Sequence, residues 1–539
     1  MSEIRVFKAG KIITMDRLCP EASHVAVRDG RILAVGDSDC AAPWGDAVLD
    51  DRFADAVLMP GFVEGHAHLM AGAMWQFTYV GYHDRTDPDG RHWAGIDTAE
   101  AMIERLSSAA PQSNDKVFGW GFDPIFLSSE RLNRSHLDQV SAKRPVAVLF
   151  SNFHLMCVNS AALEMAGYDA DTPLEGVVKG PDGAPTGELQ EMAAMFPVLR
   201  RMGIDFRTLS QSEAAIRNYG KIAVRAGVTT MTDLYSMLEE EDLELMLNMT
   251  GQEDYPLRIV PALGAAGAAS EVADKALALR ARSTDKLRLG AVKLMTDGSI
   301  QGWTARVRWP GYVGGQPNGI WNTAPEEIFA LTAEMQRRGV QMHIHVNGDE
   351  AAEVSLDALE AAARAHPWPG ARHVLQHCQM MDRALFERAW ELGVACNIFA
   401  NHLWYFGDQH AALTIGPDRA ARMDAVRTAL DAGVNAAIHS DAPVTPLAPL
   451  FTAWCAVNRR TMSGAVLGPE ERIDVSEALE LITLGAARTL RLDHEIGSIE
   501  PGKRADFAVL GADPAAGDGS PLKDIPVLGT VSGGRVHLL

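Results

Sequence analysis

Leu58-Met59-Pro60-Gly61-Phe62-Val63-Glu64-Gly65-His66-Ala67-His68 is an apolar stretch broken at Pro60-Gly61 that then presents two imidazoles in alternation. The spacing predicts a buried strand whose end aims His66 and His68 the same way. Two imidazoles aimed together grip a metal ion, although a His-x-His pair also occurs in ordinary packed strands.

The same pattern returns along the chain. Short apolar runs lead to Lys293 in Leu289–Met295, to His345 in Val340–Val346, to His377 in His373–His377 and to Asp441 in Val434–Asp441. The intervals leave room for a strand, a helix and a return loop. Between the runs lie helix-like segments such as Pro325–Arg338 and Asp349–Ala365, with sharp Gly or Pro exits. Alternating βα units favour a parallel sheet, and a closed eight-stranded barrel collects the C-terminal ends of its strands at one mouth. The expected fold is α/β, a (β/α)8 TIM barrel that brings all these side chains together.

His66, His68, Lys293, His345, His377 and Asp441, with Pro60–His66, His345-Val346-Asn347-Gly348-Asp349 and Ser440-Asp441-Ala442-Pro443-Val444 around them, resemble the metal-dependent amidohydrolase superfamily. Within it the chain is similar to the branch of N-substituted formamide deformylases, which carries a long insertion after the first barrel strand. The resemblance spans nearly the whole chain. Its motifs are specific for a scaffold and a type of site, much less so for a substrate.

The chain has 539 residues, more than one compact core usually holds, so a barrel with accessory units is expected. Hydrophobic residues at 47% and charged residues at 22% describe an ordinary soluble enzyme. A formal charge of −21, from 49 basic against 70 acidic residues, argues against nucleic acid and anionic membranes as partners and leaves a small-molecule substrate. Met1–Lys8 has no basic start followed by an apolar core, and no stretch approaches a membrane span. The six cysteines show no paired spacing, which fits reduced thiols and a cytoplasmic location; Cys378 reads as a small core residue. No heptad seam bears on self-association, and a homo-oligomer stays open.

Strand-like pieces at Ile4–Phe7, Ser23–Val27 and Arg31–Val35 are matched at the other end by Arg504–Leu510 and Thr530–Val536. The resemblance implies that residues 1–60 and 490–539 pair into a composite β-sandwich beside a barrel domain of residues 61–489, with Ile496–Lys503 leading back into it. The interval from His68 to Lys293 is far longer than one barrel turn needs. Residues 79–210, rich in aromatic and loop residues, are expected to form an inserted lid where substrate choice resides; Glu213–Gly227 and Val228–Asp233 read as the next barrel helix and strand.

Hydrolysing an unactivated amide near neutral pH needs a nucleophile better than water and a Lewis acid for the carbonyl, and a divalent metal supplies both by acidifying its water. The resemblance implies two such ions, with His66 and His68 on one and His345 and His377 on the other; the donor types suit zinc, and manganese, iron, cobalt or nickel fit similar positions. It implies that Lys293, combined with carbon dioxide as a carbamate, bridges them, and that hydroxide is held between them. The alternative for Lys293 is an ordinary ion pair with Asp297. Asp441 is the candidate general base, binding one metal and passing the proton of the nucleophile to the leaving amine; its alternative is a helix cap.

His343 and His439 lie two residues before His345 and Asp441 and are read as packed, hydrogen-bonded histidines behind the ligands. His154 is a candidate substrate contact or a structural histidine. Relatives usually read Asp-Gly-His where this chain has Phe153 before His154, and usually carry arginine where it has Trp303. With Phe153 and Trp303, the residues Trp75, Phe77, Trp120, Phe122, Trp309, Trp404, Tyr405 and Phe406 form either a pocket for an aryl or bulky alkyl group or the filling of a lid–barrel seam. The expected activity is hydrolysis of a non-peptide carbon–nitrogen bond in an N-substituted amide. Cyclic-imide hydrolase, deaminase, lactonase or decarboxylase chemistry on the same site stays open, as does a non-catalytic assembly protein of the same fold, which the intact ligand set disfavours.

Overall fold

In the computed structural model, which describes residues 3–109, 116–127 and 131–539, eight parallel strands form one sheet: β1 (Phe62–Glu64), β2 (Val228–Ser236), β3 (Arg258–Gly264), β4 (Ala291–Met295), β5 (Met342–Val346), β6 (Val374–His377), β7 (Ala395–Ile398) and β8 (Ala436–Ile438), each beside its neighbour in sequence. Nearly every residue in them is buried, as a sheet covered on both faces requires. The edge strands come together beyond their ends: Ala67 and Ala442 form a parallel bridge, and the His68 N–H donates to the Ala442 carbonyl at 2.9 Å. Glu64 on β1 accepts the Ser440 N–H at 3.1 Å and its hydroxyl at 3.0 Å. This mixed α/β fold, with its curled parallel sheet, is TIM-barrel-like.

The crossover helices carry their own start and stop signals. Glu213–Arg225 is capped by the Ser212 hydroxyl, which accepts the Ala215 N–H, with Glu213 in the first turn and Arg225 in the last; such a cap contributes about 1 kcal/mol. Pro325–Arg338 begins with proline, carries Glu326 and Glu327 early and Arg337 and Arg338 late, and stops at left-handed Gly339. In the opening motif Gly61 is required by packing, since a Cβ there would sit 2.1 Å from the Thr229 hydroxyl oxygen at the start of β2.

Both chain ends enter one seven-stranded sheet, in the order Arg535–Leu538, Val527–Ser532, Phe507–Leu510, Ala47–Pro60, Ile4–Ile13, Glu21–Arg28, Arg31–Gly36. It is a single hydrogen-bonded sheet, with register shifts along Ile4–Ile13, around a core that includes Phe7, Phe53 and Phe507. Arg258 on β3 donates to the Asp506 carboxylate at 2.8 Å, both side chains buried, and so ties this sheet to the barrel.

Between β1 and β2 a six-stranded sheet, from Thr78–Tyr79 through Pro185–Gln190, has apolar clusters around Trp120 and Leu149 and around Phe122 and Phe150. The span read as a lid is thus an α/β unit with its own core, followed by helices Glu191–Arg201 and Phe206–Ser210. Residues 110–115 and 128–130 of that span lie outside the described residues.

Candidate metal centre and active site

His66 and His68 follow β1, Lys293 lies in β4, His345 in β5 and His377 at the end of β6, and Asp441 follows β8. All six line one cavity of about 440 Å³ at the C-terminal ends of the strands, within the usual range for small-molecule sites. The nearest nitrogens of His66 and His68 lie 3.4 and 3.2 Å from Asp441 Oδ1, and His377 Nδ1 lies 3.6 Å from Oδ2. The rings of His66 and His377 are 4.4 Å apart between centres, those of His345 and His377 4.5 Å.

Gln376 sets the protonation pattern. Its carbonyl oxygen accepts the His66 Nδ1–H at 2.8 Å and an Asn397 amide N–H at 2.9 Å, while its amide donates to His343 Nδ1 at 2.8 Å. The His66 Nε2 lone pair is therefore directed at Asp441, an acceptor facing an acceptor, which is the arrangement a cation stabilises. His345 Nε2 lies 3.2 Å from both the Gly298 carbonyl oxygen and the Asn347 amide nitrogen, which hold the ring in place. Burial first, then neighbouring positive groups, holds His66, His345 and His377 well below the usual imidazole range, so all three are neutral.

Lys293 Nζ, both His377 ring nitrogens and Asp441 Oδ1 are buried with no hydrogen-bond partner among the described residues. Buried polar atoms without partners are rare in folded proteins, and four of them meeting at one point is a donor arrangement that a cation fits. Burial lowers Lys293 to about 7 against the opposing pull of Asp441. The Lys293–Asp297 ion pair does not form: Asp297 instead accepts the N–H groups of Gly348, Arg306 and Asn347 at 2.9, 3.0 and 3.1 Å. The donor set, imidazole nitrogens with a carboxylate, fits a divalent transition metal. Two groups of donor atoms lie mutually within 4.8 Å, His66–His68–Asp441 and His66–His377–His439.

His154 faces the same cavity, its ring 5.4 Å from that of His345. Burial opposes its charge, but the Glu191 carboxylate, 2.8 Å from Nδ1, outweighs it and raises the imidazole above its usual value. Phe153 lines the cavity; Trp303 does not. A turn closed by the Trp303 N–H on the Ile300 carbonyl directs Ser299 and Gln301 into the cavity and Trp303 into the seam with Phe126 and Trp404, where Arg131 lies over its ring. Tyr405 and Phe406 fill the same seam, Trp75, Phe77 and Trp120 pack in the lid core with Phe122 in its second cluster, and Trp309 is 94% exposed. The apolar cavity wall comes instead from Phe196, Leu199, Ile204, Phe206, Tyr235 and Phe399. His343 is hydrogen-bonded as expected, whereas His439 has no hydrogen-bond partner at either nitrogen among the described residues.

Residues 54–537 match the Amidohydrolase family. The chain is 28% identical over 93% of its length to protein LONG AFTER FAR-RED 3 of Arabidopsis thaliana, covering 86% of that protein. It is 27% identical to the putative amidohydrolase YtcJ of Bacillus subtilis, with 98% of both chains covered. It is 26% identical to the N-substituted formamide deformylase of Arthrobacter pascens, over 98% of this chain and 97% of that one. Its fold is similar to the crystal structure of an uncharacterized metal-dependent hydrolase from Pyrococcus horikoshii, with a TM-score of 0.71, 21% identity and coverage of 96% and 99% of the two chains. This chain belongs to the amidohydrolase family, within the metal-dependent amidohydrolase superfamily.

Proposed function

We propose that the protein is a metal-dependent hydrolase of a non-peptide carbon–nitrogen bond, acting on an N-substituted amide with an apolar or aryl substituent. The observation that carries this reading is the set of unpartnered buried donor atoms of Lys293, His377 and Asp441 gathered at the strand ends beside neutral His66. His66, His68, His345, His377 and Asp441, together with Lys293 as its carbamate, would hold two divalent ions, zinc by donor type. A Lys293 amine lowered to about 7 is about half uncharged at neutral pH, and the uncharged form is the one that combines with carbon dioxide. When bound, the ions supply an ionised water at neutral pH and polarise the scissile carbonyl.

The chain's own groups do the rest. Asp441 takes the proton of the attacking water and returns it to the departing nitrogen. His154, kept protonated by Glu191, donates to the carbonyl oxygen as negative charge builds on it. The wall of Phe196, Leu199, Ile204 and Phe206 receives the N-substituent and excludes water. The relative named as an N-substituted formamide deformylase, aligned almost end to end, favours an amide over an imide or a lactone.

The test is elemental analysis of the purified protein with a hydrolysis screen of amides, imides and lactones, with and without chelator. Chelator-sensitive turnover of aryl or alkyl amides is expected; charged amides turning over faster than aryl ones would sink the substrate assignment. Lys293→Ala is expected to lose metal and activity and to recover part of both with high acetate, and full activity without acetate rules out the bridging lysine.

A further inference from the structure

Helix Glu191–Arg201 runs along one wall of the cavity, and its sequence is a scale of distance from the reacting end. Glu191, its first residue, holds His154 at 2.8 Å, and the His154 ring lies 5.4 Å from that of His345. Met192, Phe196, Leu199 and Arg200 line the cavity, and their spacing keeps them on one helical face. At 1.5 Å of rise per residue, Glu191 and Arg200 lie about 13–14 Å apart along the axis. From the inside outward the wall therefore presents a polar reacting end, about 1 nm of apolar side chain, and a guanidinium.

That guanidinium is uncommitted. The exposed Arg200 side chain makes no ion pair or hydrogen bond among the described residues, in a chain where 70 acidic residues face 49 basic ones. The ordinary task of an arginine in the last turn of a helix, bonding a free carbonyl, falls to its neighbour: Arg201 Nη1 donates to the Pro197 carbonyl at 3.2 Å. Arg207 lines the cavity as well, with Nη1 held by the Asp242 carboxylate at 2.9 and 3.1 Å. Asp205 lines it too, and its carboxylate caps the next helix by accepting the Arg207 N–H at 2.9 Å. Asp242 thus compensates Arg207, and Arg200 keeps a positive charge that no side chain contacts.

We propose that the apolar N-substituent of the substrate is about 1 nm long and ends in a carboxylate, which Arg200 binds at the outer end of the cavity. The planar guanidinium fork matches a carboxylate, and one uncompensated positive charge suits a monoanion better than a phosphate dianion. The charge lies beyond the apolar wall, so a charged amide without that apolar segment gains nothing from it. This inference deepens the reading of the site as one for amides with an apolar substituent, and rests on it.

Calorimetric binding to the full chain tests it with two ketone isosteres of the amide, which resist hydrolysis. Both carry an aryl-alkyl arm about 1 nm long, one ending in methyl and the other in carboxylate. The carboxylate is expected to bind the parent about 3–10-fold tighter than the methyl compound, the range for an exposed charged pair with good geometry. In Arg200→Met, checked for folding by circular dichroism, that advantage is expected to vanish, and in Arg200→Lys to survive in part. Equal binding of the two compounds by the parent, or an advantage that persists in Arg200→Met, overturns the proposal. Steady-state hydrolysis of the matching amides separates it from the reading beneath it. Equal KM for the two long amides overturns the carboxylate end alone, whereas a short charged amide turned over faster than both, or no amide turned over, overturns the substrate reading as well.

Discussion

Replacing Gln376 by methionine keeps the side-chain volume and removes only its polar end, so the effect is computable from the contacts it makes. The His66 Nδ1–H, an Asn397 amide N–H and the His343 Nδ1 lone pair lose partners at 2.8, 2.9 and 2.8 Å. All three are buried, and an orphaned buried polar group costs about 1–3 kcal/mol, so the metal-free protein is expected to lose on the order of 3–9 kcal/mol. Metal binding suffers separately, because nothing then selects the tautomer that directs the His66 Nε2 lone pair toward Asp441. Loss of such an orienting group typically weakens metal affinity about 10–100-fold, or about 1.4–2.7 kcal/mol. Urea unfolding of the metal-free protein reads the first quantity, and calorimetric titration with zinc reads the second. A folded Gln376→Met protein that binds zinc within threefold of the parent refutes the claim that Gln376 sets the state of His66.

The pH dependence follows from His154. Its imidazole is raised above the usual 6.5, so its charge is fully present below pH 6.5 and is lost as pH rises through the raised value. Activity is expected to fall on that alkaline limb, and Glu191→Gln to move the limb to lower pH; a pH–rate profile whose limb stays in place removes His154 from the reaction. Phe206→Ala opens the apolar wall and is expected to raise KM for aryl amides roughly 5–30-fold while changing short alkyl amides less than threefold. Equal changes for both, read from steady-state kinetics, argue that the substituent binds elsewhere. Asp506→Ala leaves the buried Arg258 guanidinium without its counter-charge and is expected to cost about 3–5 kcal/mol in urea unfolding with little change in metal content. A loss under about 1 kcal/mol shows that this ion pair does not hold the end sheet to the barrel.

The barrel-like sheet and the gathering of the six candidate residues at its strand ends were legible because both rest on local patterns. Apolar runs of strand length ending in His, Lys or Asp recur at βα spacing, and the helices between them carry their stop signals in sequence, as at Arg337-Arg338-Gly339. Gln376 was not legible. On a regular strand side chains alternate, so Gln376 and His377 face opposite sides, yet both meet His66. The positive φ of 74° at His377 breaks the alternation, and nothing in Leu375-Gln376-His377-Cys378 announces it. Phe196, Phe206 and Tyr235 were missed for a related reason. Phe196 and Phe206 belong to helices whose docking over the mouth depends on lid packing, and Tyr235, on β2, is turned by its own positive φ of 77°, whereas the conspicuous tryptophans of the lid were consumed by its core and its seam.

Backbone strain is present at the cavity as well as elsewhere in the scaffold. Phe153, Glu191, Tyr235, His377 and Asp441 have φ of 60°, 63°, 77°, 74° and 54°, a region that residues with a Cβ enter at a cost of about 1 kcal/mol or more each. Four of them line the cavity and the fifth, Glu191, holds His154. Their sum, on the order of 5 kcal/mol, rivals the net stability of a whole domain, so each must be held by contacts that leave no cheaper conformation. Those contacts are present: the Glu191 N–H donates to the His154 carbonyl at 2.7 Å, the Phe399 N–H to the His377 carbonyl at 3.1 Å and the Val444 N–H to the Asp441 carbonyl at 2.7 Å. The barrel supplies a rigid ring of strand ends, and the strained residues break its alternation where consecutive side chains must reach one point. A metal centre built from strand ends needs both, because strict alternation alone gives each strand only every second residue to aim at the ion.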